Sequence, residues 1–191
     1  LEMLRHGYTS VAEFHYIHHD KNGQVYQNIS ELGERLIKAA KKVGIRITLI
    51  PIFYQKGGFG KAASKEQKRF LSKNIDAYLQ LLEASQQSCR YYKDATLAYG
   101  VHSMRAVEPN IIKQLKAQMP KAMPFHLHIS EQLKEVRDSI DYLGKRPVEW
   151  LSKNIDLDEN CHLVHATHLT KSEVEAIAQS HANVVLCPST E

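Results

Sequence analysis

Short runs rich in β-branched and aromatic residues alternate along the chain with longer stretches whose apolar positions recur every three or four residues. A period near two suits a strand and one near 3.6 suits a helix. The first class predicts strands over residues 9–16, 45–53, 95–102, 124–130, 161–167 and 183–188. The second predicts helices over 30–43, 64–87, 109–118, 131–142 followed by 147–154, and 171–180. Leu32, Leu36, Ala39 and Ala40 fall on one helical face, and Leu71, Ile75, Tyr78, Leu79 and Leu82 on another. The boundaries carry their own signals: Ser30 precedes Glu31 and Glu34, Pro109 suits a first helical turn, Gly44 follows a helix, and Thr170 stands three residues before Glu173 in a capping-box pattern.

Strand, helix and strand in regular succession imply parallel strands joined by right-handed crossovers, an α/β fold. Two architectures satisfy that rule, an open doubly wound sheet and a (β/α)8 TIM-type barrel. Polar residues crowd the C-terminal ends of the predicted strands: His15 and Tyr16, Tyr54, His102, His128 with Ser130, and His165 with Thr167. In a barrel these ends converge on one mouth, whereas an open sheet offers a single crevice, and no GxGxxG run follows any strand here. The barrel is the expectation. The chain opens on Leu1 without Met and closes just after a strand-like run, so it is read as a barrel piece of about six β/α units, strands 2 to 7, one domain over residues 1–191.

Composition narrows the function classes. With 191 residues, 43% apolar and 24% charged, the chain can bury a core, which excludes disorder, collagen and coiled coil. No apolar run approaches the roughly 20 residues of a membrane span, and no secretory leader is evident, so a cytoplasmic location is expected. The net charge of +4 comes largely from lysines on helical stretches such as Lys38, Lys41 and Lys42. A solvated helix face explains these better than nucleic-acid binding. Cys89, Cys161 and Cys187 are too scattered for a disulfide framework and are read as reduced. Histidine, at 11 residues against 9 glycines, is the unusual component, and it is both a frequent metal ligand and a proton carrier near neutral pH.

Three histidine-bearing strand ends are candidates for chemistry. In the run from Pro124 to Glu131, alternation puts His126, His128 and Ser130 on one face and Phe125, Leu127 and Ile129 on the other. Glu131 follows, giving His128-x-x-Glu131, a ligand with a carboxylate in reach of an activated water, or else hydrogen-bonded interior histidines before a helix-starting Glu. In the run from Cys161 to His168, Val164 and Ala166 suit the helix side, which turns Leu163, His165 and Thr167 inward; His162 and His168 read as satisfied core residues. In the run from Tyr99 to Arg105, His102 is followed by Arg105, suited to bidentate capture of a carboxylate. His18 and His19 precede a turn with Asp20, Asn22 and Gly23 and read as surface residues. The glycine-rich segment 54–60 lacks a P-loop ending and reads as a mobile active-site loop. Cys187, in the segment that closes the chain, reads as a structural thiol.

Taken together, these runs resemble the metal-dependent amidohydrolase superfamily, whose deaminases carry HxxE after the fifth barrel strand and a His after the sixth. The likeness is most specific to the branch that deiminates N-formimino-L-glutamate, through the Phe14-His-Tyr16 and Gly100-Val-His-Ser-Met-Arg105 runs. The resemblance implies His128 as a metal ligand, Glu131 and His165 as catalytic residues, and Tyr16, His102 and Arg105 as holders of the substrate's glutamate part. It implies one divalent ion, Zn2+ by preference, hydrolysis to N-formyl-L-glutamate and ammonia in histidine degradation, and a homodimer for the whole protein. The family's HxH pair and its strand-eight Asp have no match here, so the chain is expected to supply one ligand of four and to be inactive by itself. Two other readings stand beside this one: a deaminase of purine or pyrimidine bases, and a non-catalytic barrel module.

Overall fold

In the computed structural model, which describes residues 1–190, the strands are β1 (Ser10–His15), β2 (Arg46–Phe53), β3 (Ala95–Leu97), β4 (Tyr99–Ser103), β5 (Phe125–Ile129), β6 (Cys161–His165) and β7 (Asn183–Val185). The helices are α1 (Glu2–Arg5), α2 (Glu31–Val43), α3 (Ile75–Cys89), α4 (Pro109–Gln118), α5 (Leu133–Leu143), α6 (Pro147–Asn154) and α7 (Lys171–Ser180). The pairs β1–β2, β2–β3, β5–β6 and β6–β7 are all parallel, as the alternation requires. Glu191, the last residue of the expected domain, lies outside the described residues.

Two of the expected elements are divided. The strand expected over 95–102 is interrupted at Ala98, whose amide donates to Leu49 O at 3.0 Å. The helix expected over 64–87 is a 3-10 turn, Lys65–Arg69, followed by α3. Side chains that compete for backbone amides cause the break: Ser64 and Gln67 close a capping box on the turn, and Asn74 accepts the Ala77 amide to start α3 afresh. Gly44 and Gly144 end α2 and α5 in the left-handed conformation.

The chain forms two compact units. The first comprises Leu1–Gln55 and Ser64–Gly100. Its core sets Ile37 and Ala40 of α2 against Ile47 and Leu49 of β2, with Ile45 and Cys89. Gly33 permits that approach, because a Cβ there would lie 3.0 Å from Leu49 Cδ2. In β2 every residue from Leu49 to Phe53 is buried, the continuous burial expected of a parallel strand covered on both faces. His18 and His19 are not the surface residues expected. His18 is 3% exposed with Nε2 3.0 Å from Ile52 O, and half-buried His19 places Nε2 2.8 Å from Leu71 O. The turn signal that follows them is real, since Asp20 Oδ1 accepts the Asn22 and Gln24 amides.

The second unit comprises Lys56–Ala63 and the residues from Val101 onward. Phe125, Leu127 and Ile129 of β5 and Cys161 and Leu163 of β6 are fully buried. Glu173, also buried, closes the expected capping box with Thr170 and accepts Arg146 Nε at 2.8 Å, while Arg146 Nη2 donates to His168 O at 2.6 Å. Cys89 and Cys161 are buried and form no disulfide.

Candidate active site

In β5 and β6, His126 stands opposite His162, His128 opposite Val164, and Ile129 opposite His165. Residues opposite one another in a parallel pair point to the same face. Alternation therefore groups His162 and Val164 with His126 and His128, and the rings of His126 and His162 stack at 4.4 Å and 10°. The expectation that Leu163, His165 and Thr167 turn to the His128 face by alternation is overturned, and Thr167 is exposed. His165 nonetheless meets His128, by a different route. Its backbone is left-handed at φ 74°, followed by Ala166 at φ 50°, and its ring stacks on that of His128 at 5.2 Å and 24°.

Five of the six expected site residues gather in the second unit: His102, Arg105, His128, Glu131 and His165. The His128 Nδ1–H donates to His102 O at 3.0 Å, and the two rings meet edge-on at 4.9 Å. Glu131 then lies between an imidazole and a guanidinium. Its Oε1 is 3.7 Å from His165 Nε2 and its Oε2 3.5 Å from Arg105 Nη2. Tyr16 belongs to the first unit, half-buried edge-on to Phe70 at 5.0 Å and Phe14 at 6.5 Å.

Burial sets the electrostatics. It pushes His102 down to about 3, helped by His128 and then Arg105, and pushes His128 down to about 4, helped by His165 and partly opposed by the His102 carbonyl and Glu131. Both imidazoles are therefore neutral near pH 7. With Nδ1–H donated to a backbone carbonyl, neutral His128 carries its lone pair on Nε2, the tautomer of a metal ligand oriented by a second group. Among the described residues no three His, Cys, Asp or Glu side chains are placed to hold a metal ion together. The residues present thus suit one ligand of a site, with Glu131 and His165 beside it, and do not form a complete site among themselves.

One residue of this cluster escaped the sequence reading. Glu135, in the first turn of α5, is 3% exposed, and its Oε2 accepts the Glu131 amide at 2.9 Å while Oε1 stands 3.8 Å from Arg105 Nε. The signal was present as a second Glu four residues after Glu131, the spacing that stacks side chains at a helix start. The glycine-rich segment adds a wall. Gly57, Gly58, Phe59 and Lys61 line a cavity of about 310 Å³ with Arg105, Gln132, Lys134, Glu135 and Asp138. The segment is anchored at several points: Lys56 pairs with Glu108 and lies over the Tyr142 ring, and buried Phe59 packs 5.5 Å from that ring.

Comparison with known proteins extends this geometry. The model of the amidohydrolase family matches residues 1–191. Formimidoylglutamate deiminase of Pseudomonas aeruginosa is 45% identical over 195 residues, an alignment that takes in all of this chain and 42% of that protein. A 5-methylthioadenosine/S-adenosylhomocysteine deaminase of Archaeoglobus fulgidus is 27% identical over the whole chain and 40% of its own length. Among solved structures, an amidohydrolase from Brucella melitensis superposes on 99% of this chain with a TM-score of 0.93 at 41% identity, again over 42% of its own length. The chain thus spans about two-fifths of the relatives it matches, and its parallel strands and helices match a piece of an amidohydrolase TIM barrel, as expected from sequence.

Proposed function

We propose that this chain, which belongs to the amidohydrolase family, supplies the central part of the catalytic barrel domain of an enzyme that hydrolyses N-formimino-L-glutamate to N-formyl-L-glutamate and ammonia. The observation that carries this reading is the bracketing of Glu131, with His165 at 3.7 Å on one oxygen and Arg105 at 3.5 Å on the other, beside a His128 whose tautomer is fixed. The 45% identity to a formimidoylglutamate deiminase supports the choice of substrate. The whole protein is proposed to act in histidine breakdown, as a homodimer in the cytoplasm.

A divalent ion of the zinc kind would supply Lewis acidity and bring the pKa of a water towards 7, and His128 is the residue of this chain that would help to hold it. Glu131 takes a proton from the attacking water as its oxygen adds to the formimino carbon and gives it to the imino nitrogen; it then carries the remaining hydroxyl proton to that nitrogen as the carbonyl forms and the C–N bond breaks, so that ammonia leaves. His165, against Glu131 Oε1, orients the carboxylate and meets the charge that develops at the reacting carbon. Arg105 binds a carboxylate of the glutamate part, and His102 fixes the direction of His128 through its carbonyl while its ring borders the substrate. The substrate-holding role of Tyr16 rests on the resemblance.

The test is ammonia release by the full-length protein offered N-formimino-L-glutamate, adenosine, guanine and cytosine in parallel, with bound metal measured on the same sample. Turnover of the formimino compound alone, with close to one divalent ion per chain, is expected. Arg105→Ala should raise KM at least about tenfold, the loss of one charge-assisted hydrogen-bonded contact. Turnover of a base in place of the formimino compound, or an unchanged KM in R105A, would overturn the assignment.

A further inference from the structure

We propose that Glu135 is a positioning residue that couples substrate capture to the acid–base group, steering Arg105 from one oxygen while pinning the turn that carries Glu131 with the other. The inference rests on the reading of Arg105 as the carboxylate holder. A carboxylate buried to 3% exposure is expensive unless its charge is compensated. Burial raises the Glu135 carboxyl above the usual carboxylate range, with a smaller push from the Glu131 carboxylate, and the groups that oppose this and favour its charge are the Arg105 guanidinium and the Glu131 and Ser130 amides. Gln132, at the N-cap of α5, makes no side-chain cap, so the turn after β5 is held through Glu135.

The geometry differs from that of a purely structural pair, and the chain contains such a pair for contrast. Glu173 also sits buried in the first turn of its helix beside an arginine, yet it accepts Arg146 Nε directly at 2.8 Å and closes a capping box. Glu135 Oε1 stands 3.8 Å from Arg105 Nε, beyond hydrogen-bond length, and neither atom has a hydrogen-bond partner of its own. The guanidinium is aimed by charge without being locked. Its Nε edge faces Glu135, its Nη2 faces Glu131, and it borders the cavity of about 310 Å³ that Lys61 and Lys134 also line. An arriving carboxylate can draw the guanidinium onto itself at little cost, and Glu135 sets the direction from which it comes.

A double-mutant cycle on the full-length protein tests this, with E135Q, R105Q and the double variant. Gln keeps an oxygen to accept the Glu131 amide and removes the charge that Arg105 feels. Two readouts are taken: Kd of N-formyl-L-glutamate by calorimetry, and kcat and KM with N-formimino-L-glutamate. E135Q is expected to weaken Kd and raise KM about tenfold, with a much smaller fall in kcat, and to add less than about twofold in the R105Q background. Equal factors in both backgrounds, or a loss confined to kcat and thermal stability, would overturn the coupling. If E135Q does not fold, E135D takes its place in the cycle: it withdraws the charge from Arg105 by one methylene, so a rise in Kd and KM of about threefold that vanishes in the R105Q background supports the coupling, and an unchanged Kd or equal factors in both backgrounds overturn it. Wild type that binds N-formyl-L-glutamate without hydrolysing the formimino compound would overturn the proposed reaction, and the Kd cycle would still decide the role of Glu135. Wild type that does not bind it would overturn both.

Discussion

Tyr78 offers a measurable test of how α3 is tied to the backbone at Pro51 and Gly100. Its side chain is fully buried in α3, the ring stacks on Phe53 at 4.9 Å and 16°, and the hydroxyl meets three backbone groups. It donates to Pro51 O at 2.7 Å, lies 3.0 Å from Gly100 O, and accepts the Gly100 amide at 3.1 Å. Pro51 has no amide proton, so β2 offers one donor fewer at that point. The phenol bridges the Pro51 carbonyl and the Gly100 amide there. Tyr78→Phe keeps the ring and nearly all the buried apolar area, so the loss isolates the hydroxyl. One net hydrogen bond is worth about 1 kcal/mol, and an abandoned buried amide costs about 1–3 kcal/mol, a total of about 2–4 kcal/mol. For a chain of this size that corresponds to a drop in Tm on the order of 10 °C. Thermal unfolding followed by circular dichroism is the assay, on wild type and Y78F at matched concentration. Burial raises the Tyr78 hydroxyl far above the usual phenol range, so it stays a donor and the drop should be the same at pH 6.5 and pH 9. A change in Tm under about 2 °C, or a drop that fades as the pH rises, would refute the reasoning.

Two further outcomes follow from buried charge and buried imidazole. His15 and His18 are pushed down from 6.5 to about 4 and about 3, chiefly by burial, so between pH 6.5 and about 4 the unfolded chain binds more protons than the folded one. Stability from these groups is complete above pH 6.5 and falls as the pH drops through that window, so Tm at pH 5 should lie below Tm at pH 7.5, and H18Q should flatten the slope; a Tm independent of pH across the window contradicts this. Glu173→Ala strips Arg146 Nε and the Thr170 amide of their acceptor beside a 3% exposed site, and should cost about 3–5 kcal/mol by denaturant titration, against a threshold of about 1 kcal/mol below which the pair is only decorative.

The strand and helix alternation was legible because it depends only on local period. The continuous apolar run of β2 and the amphipathic face of α2 each announce their environment without reference to any distant residue. The breaks were not legible to the same degree. Asn74 is an ordinary polar residue inside a helical pattern, and its capture of the Ala77 amide restarts the helix there. His18 and His19 were misplaced for a related reason. The Asp20 turn beside them is a true surface signal, but their own partners, Ile52 O and Leu71 O, are 34 and 52 residues away in the chain.

At the site, residue types were legible and directions were not. Period-two alternation holds only while the backbone stays extended, and the strand ends here leave it: Ser130, His165 and Ala166 all have positive φ, at 52°, 74° and 50°, and none is glycine. A non-glycine residue in that region costs on the order of 1–2 kcal/mol, so three in one place form a strained patch that the surroundings must hold. They do so by continuing the ladder past the strands, the Ala166 amide donating to Ile129 O and the His168 amide to Ser130 O, both at 3.0 Å. The strain reverses the side-chain direction of His165 and brings it against His128 and Glu131. No glycine marks the reversal in the sequence, and the rings of His128 and His165 meet with His165 in the opposite phase to the one alternation predicts. Strain of this kind persists where the chemistry needs a direction that regular structure does not provide. Glu135 belongs to the same arrangement, because the amide it pins at Glu131 directly follows the first of these three left-handed residues.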